Sequence, residues 1–142
     1  MIRISKKQDE HDSVVMASAQ TYDGLRAKGL QVSINPGSEK NRFVGTEDNP
    51  QYPDVIVWKP TAVYSTQGVA QVIEEIETTD SVTVEESNQW RKYSQLGATF
   101  RLIVPDGYGQ KVISILRAEH ITVSEIWCYY YNAGRILFKK YA

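Results

Sequence analysis

The chain has 142 residues, of which 42% are hydrophobic and 23% charged, and its net charge is -1. That length suits one domain, residues 1–142, with a core of its own, and the near-neutral sum withholds the strong positive charge on which general nucleic-acid binding rests. No apolar run is long enough to span a membrane and no secretory leader opens the chain, while Cys128 is the sole cysteine, which precludes an internal disulfide and predicts a reducing, cytoplasmic setting.

Residues 1–12 are polar and charged and read as a flexible arm. From Ser13, the spacing of Val15, Ala19, Tyr22 and Leu25 predicts a helix that stops at Gly29. Leu30 to Ile34 alternates apolar and polar like a half-buried strand, and Asn35-Pro36-Gly37 ends it. Gly37 to Gln51 lacks periodicity and reads as a surface loop. Val55 to Trp58 is a short apolar strand, and Ser65 to Gly68 predicts a turn into a second one, Val72-Ile73-Glu74-Glu75-Ile76-Glu77. Thr83-Val84-Glu85-Glu86 has the form of a capping box, opening a helix that carries Trp90 and Tyr93. Phe100 to Val104 is a buried strand ended by Pro105. Asp106-Gly107 precedes a helix with Val112, Ile113 and Leu116 inward. Val123–Tyr131 and Gly134–Tyr141 read as strands joined by a hairpin turn at Asn132-Ala133-Gly134. Strands alternating with helices predict an α/β domain with a central mixed sheet flanked by helices.

The acidic strand sets the chemistry. Side chains alternate along a strand, so Glu75 and Glu77 share one face and Ile76 takes the other. Carboxylates on a buried strand need cationic partners, and Asp54 opens the strand expected beside it. Three acids converging at a sheet edge would bind a hard divalent cation through oxygen. The competing reading places the acids on a solvated edge strand, where charge deters aggregation. Gln89 and Tyr93, four apart, share one helix face. His11 and His120 lack ligand spacing and read as surface residues. The run Trp127-Cys128-Tyr129-Tyr130-Tyr131 reads as core or subunit-interface packing.

Pro53-Asp54 followed by a strand bearing Glu75-Ile76-Glu77 resembles the signature of the PD-(D/E)xK nucleases, with their restriction-endonuclease-like core. The resemblance implies Asp54 and Glu75 as ligands of Mg²⁺ or Mn²⁺, with Glu77, in place of the usual lysine, as a further ligand or base. Gln89-x-x-x-Tyr93 is similar to an auxiliary motif of exonuclease-like branches and implies that both residues position substrate or water. No acid stands squarely in the first helix, where the family often keeps a glutamate. Small resolvase-like members imply a homodimer acting on DNA, with branched, Holliday-junction-like DNA as one substrate the resemblance suggests. The departures from the pattern keep open an alternative: a catalytically inactive module of the same fold that binds protein or nucleic acid.

Overall fold

A computed structural model describes residues 3–59 and 68–142. In chain order the elements are α1 (Ser5–Gln20), α2 (Asp23–Arg26), β1 (Gln31–Ile34), β2 (Val44–Thr46), β3 (Asn49–Gln51), β4 (Val55–Lys59) and β5 (Val69–Ile76), then α3 (Val84–Ser94), β6 (Thr99–Pro105), α4 (Gly109–Glu119), β7 (Glu125–Asn132) and β8 (Arg135–Lys140). Six strands form a mixed sheet in the order β1-β4-β5-β6-β7-β8. The β1–β4, β4–β5 and β7–β8 pairs are antiparallel, and β5–β6 and β6–β7 are parallel. The parallel pairs fall where α3 and α4 intervene, since parallel neighbours need a crossover connection.

Alternation along the strands gives the sheet two apolar faces. Ile56, Ile73, Phe100, Leu102 and Val104 pack with Trp90 and Tyr93 of α3 and with Val112, Ile115 and Leu116 of α4. On the opposite face, Val55, Val57, Ile76 and Ile103 pack against Val14, Val15 and Ala19 of α1. Each fully buried Val or Ile contributes about 1.5–3 kcal/mol, so the chain is a three-layer α/β domain held from both sides. The β4–β5 pairing expected from the apolar runs is present, with Val55 opposite Glu74. Apart from Gly68, the turn expected at Ser65 to Gly68 lies outside the described residues.

Three expectations are corrected. Residues 1–12 are not an arm as a whole, because α1 begins at Ser5 and not at Ser13. Its first turns carry no apolar stripe because their inward face meets polar groups: His11 is buried against Asp54. The segment from Gly37 to Gln51 is not loop throughout, since β2 and β3 pair in register from Val44 with Gln51 to Thr46 with Asn49. The first helix also breaks before Gly29: the Thr21 hydroxyl donates to the Ser18 carbonyl at 2.6 Å, a local bond that competes with helix propagation, and α2 follows as a separate turn. At the last hairpin, Ala133 and Gly134 have φ of 52° and 77°, the left-handed pair that a two-residue hairpin turn requires. Among the described residues, no helix is long and apolar enough to cross a membrane.

Candidate functional site

The β4–β5 register builds the site. Val55 lies opposite Glu74, so one step along the antiparallel ladder sets Asp54 opposite Glu75, with both side chains on one face. Asp54 is held on several sides. Its Oδ2 accepts from the Ile76 N–H at 2.8 Å and lies 3.1 Å from His11 Nε2. Its carbonyl accepts from the Asn35 N–H at 3.0 Å. The Asn35 side chain clamps the approach to it, donating to the carbonyls of Pro53 and Arg42 at 2.8 and 2.9 Å and accepting from the N–H groups of Asn41 and Arg42. An asparagine read from sequence as a turn residue is thus the buried brace of the Pro53-Asp54 step.

Around this pair lies a pocket of about 200 Å³. Glu75 and Glu77 enter from the end of β5, Glu86, Gln89 and Tyr93 from α3, and Arg3 and His11 from the N-terminal segment. All five residues singled out from sequence, Asp54, Glu75, Glu77, Gln89 and Tyr93, therefore meet in one place. Gln89 and Tyr93 lie one turn apart on α3, and Gln89 donates to Gln51 Oε1 at 3.0 Å. Burial, then the charges of Glu75 and Asp54, raises the Tyr93 phenol far above its ordinary range, so it remains an O–H.

The carboxyls are not alike. Burial raises the Asp54 pKa, but hydrogen bonds from Glu75 and His11, the His11 charge and the Ile76 N–H outweigh it and leave Asp54 below its ordinary value. Burial, then the charge and hydrogen bond of Asp54, then Glu77 and Glu86, push Glu75 well above its ordinary value. Two buried carboxyls facing each other disfavour ionising together, so a proton is held more tightly on Glu75 than on Asp54. Glu77 is 1% exposed. Burial, Glu86 and Asp54 raise its pKa against the opposing pull of Arg3 and Trp90. Its Oε2 accepts from Trp90 Nε1 at 3.2 Å, and its Oε1 faces Ser81 Oγ at 3.4 Å and Arg3 Nη2 at 3.5 Å. Among the described residues, no three His, Cys, Asp or Glu side chains converge into a ready ligand set.

Sequence reasoning missed His11 and Arg3. His11 is not a surface residue but 3% exposed, and its Nδ1 lies 3.0 Å from Asp12 Oδ1. Burial lowers its pKa, but the hydrogen bond and charge of Asp54 and the hydrogen bond to Asp12 more than offset this, giving a net rise. The sequence signal was the helical spacing of Gln8, His11 and Asp12 at i, i+3 and i+4, with Gln8 Nε2 donating to Asp12 Oδ1 at 2.8 Å. Arg3 also lines the pocket.

Glu74 faces the other way. The hydroxyls of Ser18 and Tyr22 donate to it, and Arg101 Nη1 lies 3.9 Å away. It lies at a separate groove of about 700 Å³ between α1 and β8. β5 therefore carries acids on both faces and divides two polar environments. In the aromatic run of β7, Cys128 and Tyr129 are core residues, and Tyr131 is exposed. Compared with family models, curated proteins and solved structures, the chain matches none.

Proposed function

We propose that the chain is a metal-dependent nuclease of the PD-(D/E)xK type, hydrolysing phosphodiester bonds of DNA. The observation that carries this reading is the meeting of Asp54 and Glu75 across two paired strands, in a pocket that Glu77, Gln89 and Tyr93 also line. A buried carboxyl pair short of positive charge fits a hard divalent cation, which replaces the proton on Glu75 on binding. Asp54 and Glu75 would hold Mg²⁺ or Mn²⁺, with Glu77 beside them. When bound, the metal supplies charge that neutralises a phosphate and acidifies a water. His11 and the Ile76 N–H orient Asp54. Gln89 and Tyr93 offer amide and phenol groups to position substrate. With α2 and the β2–β3 hairpin set aside, the order α1, antiparallel β1, β4 and β5, then α3 and parallel β6 supports a restriction-endonuclease-like core.

We propose a homodimer acting on DNA shape, with branched DNA as the favoured substrate. The assay is cleavage of labelled duplex, single-stranded and four-way-junction DNA, with Mg²⁺, Mn²⁺ or chelator, alongside light scattering. Metal-dependent cutting by a dimer is the expected result. No cutting of any substrate, together with no Mn²⁺ uptake by calorimetry, would leave the second reading: an inactive module of the same fold. One observation favours that reading, the contact of Arg3 with Glu77, which supplies an internal cation to the pocket.

A further inference from the structure

The pocket must admit a phosphodiester, an anion, among buried carboxyls. A cation from the protein within hydrogen-bond reach of the phosphate would add to the charge that a metal supplies. Two cationic side chains line the pocket, Arg3 and His11. His11 has neither nitrogen to spare, with Nε2 at Asp54 and Nδ1 at Asp12. Arg3 is differently placed. It lies ahead of α1, and its guanidinium is anchored by weak, long contacts: Nε to Thr78 Oγ1 at 3.4 Å, Nη2 to Ser81 Oγ at 3.3 Å and Nη2 to Glu77 Oε1 at 3.5 Å. A guanidinium has five N–H donors in a planar fork, and these contacts engage only Nε and Nη2.

We propose that Arg3 is the phosphate-binding catalytic residue of this site: its guanidinium grips the non-bridging oxygens of the scissile phosphodiester. This rests on the nuclease reading above. In the hydrolysis, the oxygen of a water forms a new bond to phosphorus and one ester P–O bond breaks. The proton lost by the water passes through solvent to the leaving alkoxide. Arg3 keeps its proton throughout and contributes hydrogen bonds that strengthen as charge builds on the phosphoryl oxygens. Thr78, Ser81 and Glu77 hold it at the pocket until substrate enters.

The test compares wild type with Arg3→Gln and Arg3→Lys. Mn²⁺ affinity is measured by calorimetry, thermal stability by melting, and kcat and KM on whichever labelled DNA the wild type cuts. Arg3→Gln should lower kcat about 10²-fold, the loss typical of one preorganised donor to a developing oxyanion, while Mn²⁺ affinity stays within threefold and the melting temperature within a few degrees. Arg3→Lys, which keeps the charge but not the fork, should recover part of that loss. Wild-type kcat in Arg3→Gln overturns the proposal and leaves the nuclease reading standing. Parallel loss of Mn²⁺ binding and stability in both variants also overturns it, by making Arg3 a structural counter-ion of Glu77. A wild type that binds Mn²⁺ yet cuts no DNA retires the nuclease reading, and this proposal with it.

Discussion

Replacing Glu75 by Gln should make the metal-free protein more stable at alkaline pH while abolishing its metal site. In the fold, burial and the neighbouring Asp54 make Glu75 hold its proton more tightly than an ordinary carboxyl. A glutamine amide has nearly the same shape as the protonated carboxyl and, like it, can donate a hydrogen bond. At pH 5 the two side chains are therefore close to equivalent. The sign follows from the raised pKa. A carboxyl that binds its proton more tightly folded than unfolded lowers stability as pH climbs through its unfolded value, near 4.5, toward its raised folded value. Burial of the charge is the first part of that cost, and the repulsion of two neighbouring carboxylates adds up to about 4 kcal/mol at 4 Å and an effective dielectric of 20. Glu75→Gln removes it, so at pH 8 we expect a gain of roughly 1–4 kcal/mol, each kcal/mol raising the melting temperature of a chain this size by roughly 3–4 °C. Chelated protein melted at pH 5 and pH 8 reads the difference directly, and calorimetry with Mn²⁺ reads the lost site. A Glu75→Gln protein less stable than wild type at pH 8, or equally shifted at both pH values, would refute the tightly held proton on Glu75.

Glu77→Lys should collapse both metal uptake and the fold, since it leaves buried Trp90 Nε1 without its acceptor and sets an ammonium beside Arg3; with breaking a buried charged contact costing about 3–5 kcal/mol, tryptophan emission during urea unfolding should report the loss. Glu77→Gln retains an acceptor for Trp90 and should stay within about 1 kcal/mol of wild type by the same measurement. His11→Asn, which loses the contact to Asp54 or Asp12, should weaken Mn²⁺ binding about 10–100-fold, as outer-shell changes do, with calorimetry as the readout. Asn35→Ala strands the groups that hold Pro53 and the Asn41–Arg42 turn and should cost about 1–3 kcal/mol or more in denaturant titration.

Much of the sheet was legible because its signals are local. The apolar runs at Val55 and Phe100, the alternation around Glu75 and the left-handed turn at Ala133–Gly134 each state their conformation within a few residues. The meeting of Asp54, Glu75, Glu77, Gln89 and Tyr93 was legible for the same reason: strand period and helix period fix which side chains share a face. The start of α1 was not, because hydrophobic periodicity reports only faces buried against apolar groups, and the residues from Ser5 to Asp12 turn a polar face to a polar pocket. His11 and Arg3 were hidden by distance, lying 43 residues from Asp54 and 74 from Glu77 in sequence (54 − 11 and 77 − 3). Nor could spacing reveal that Glu77 is turned toward Trp90, since alternation gives a side chain's face and not its rotamer.

The placement of Glu74 and Glu75 on opposite faces of β5 bears on how the protein folds. A slip of one residue would exchange the two faces, sending Glu74 toward the α3 side and Glu75 toward Val14 and Val15 of α1. Both errors bury a carboxyl among the wrong neighbours, so the strand can lock only when Ser18 and Tyr22 receive it from one side and Asp54 from the other. β5 thus ties the helical layers on its two faces to one register.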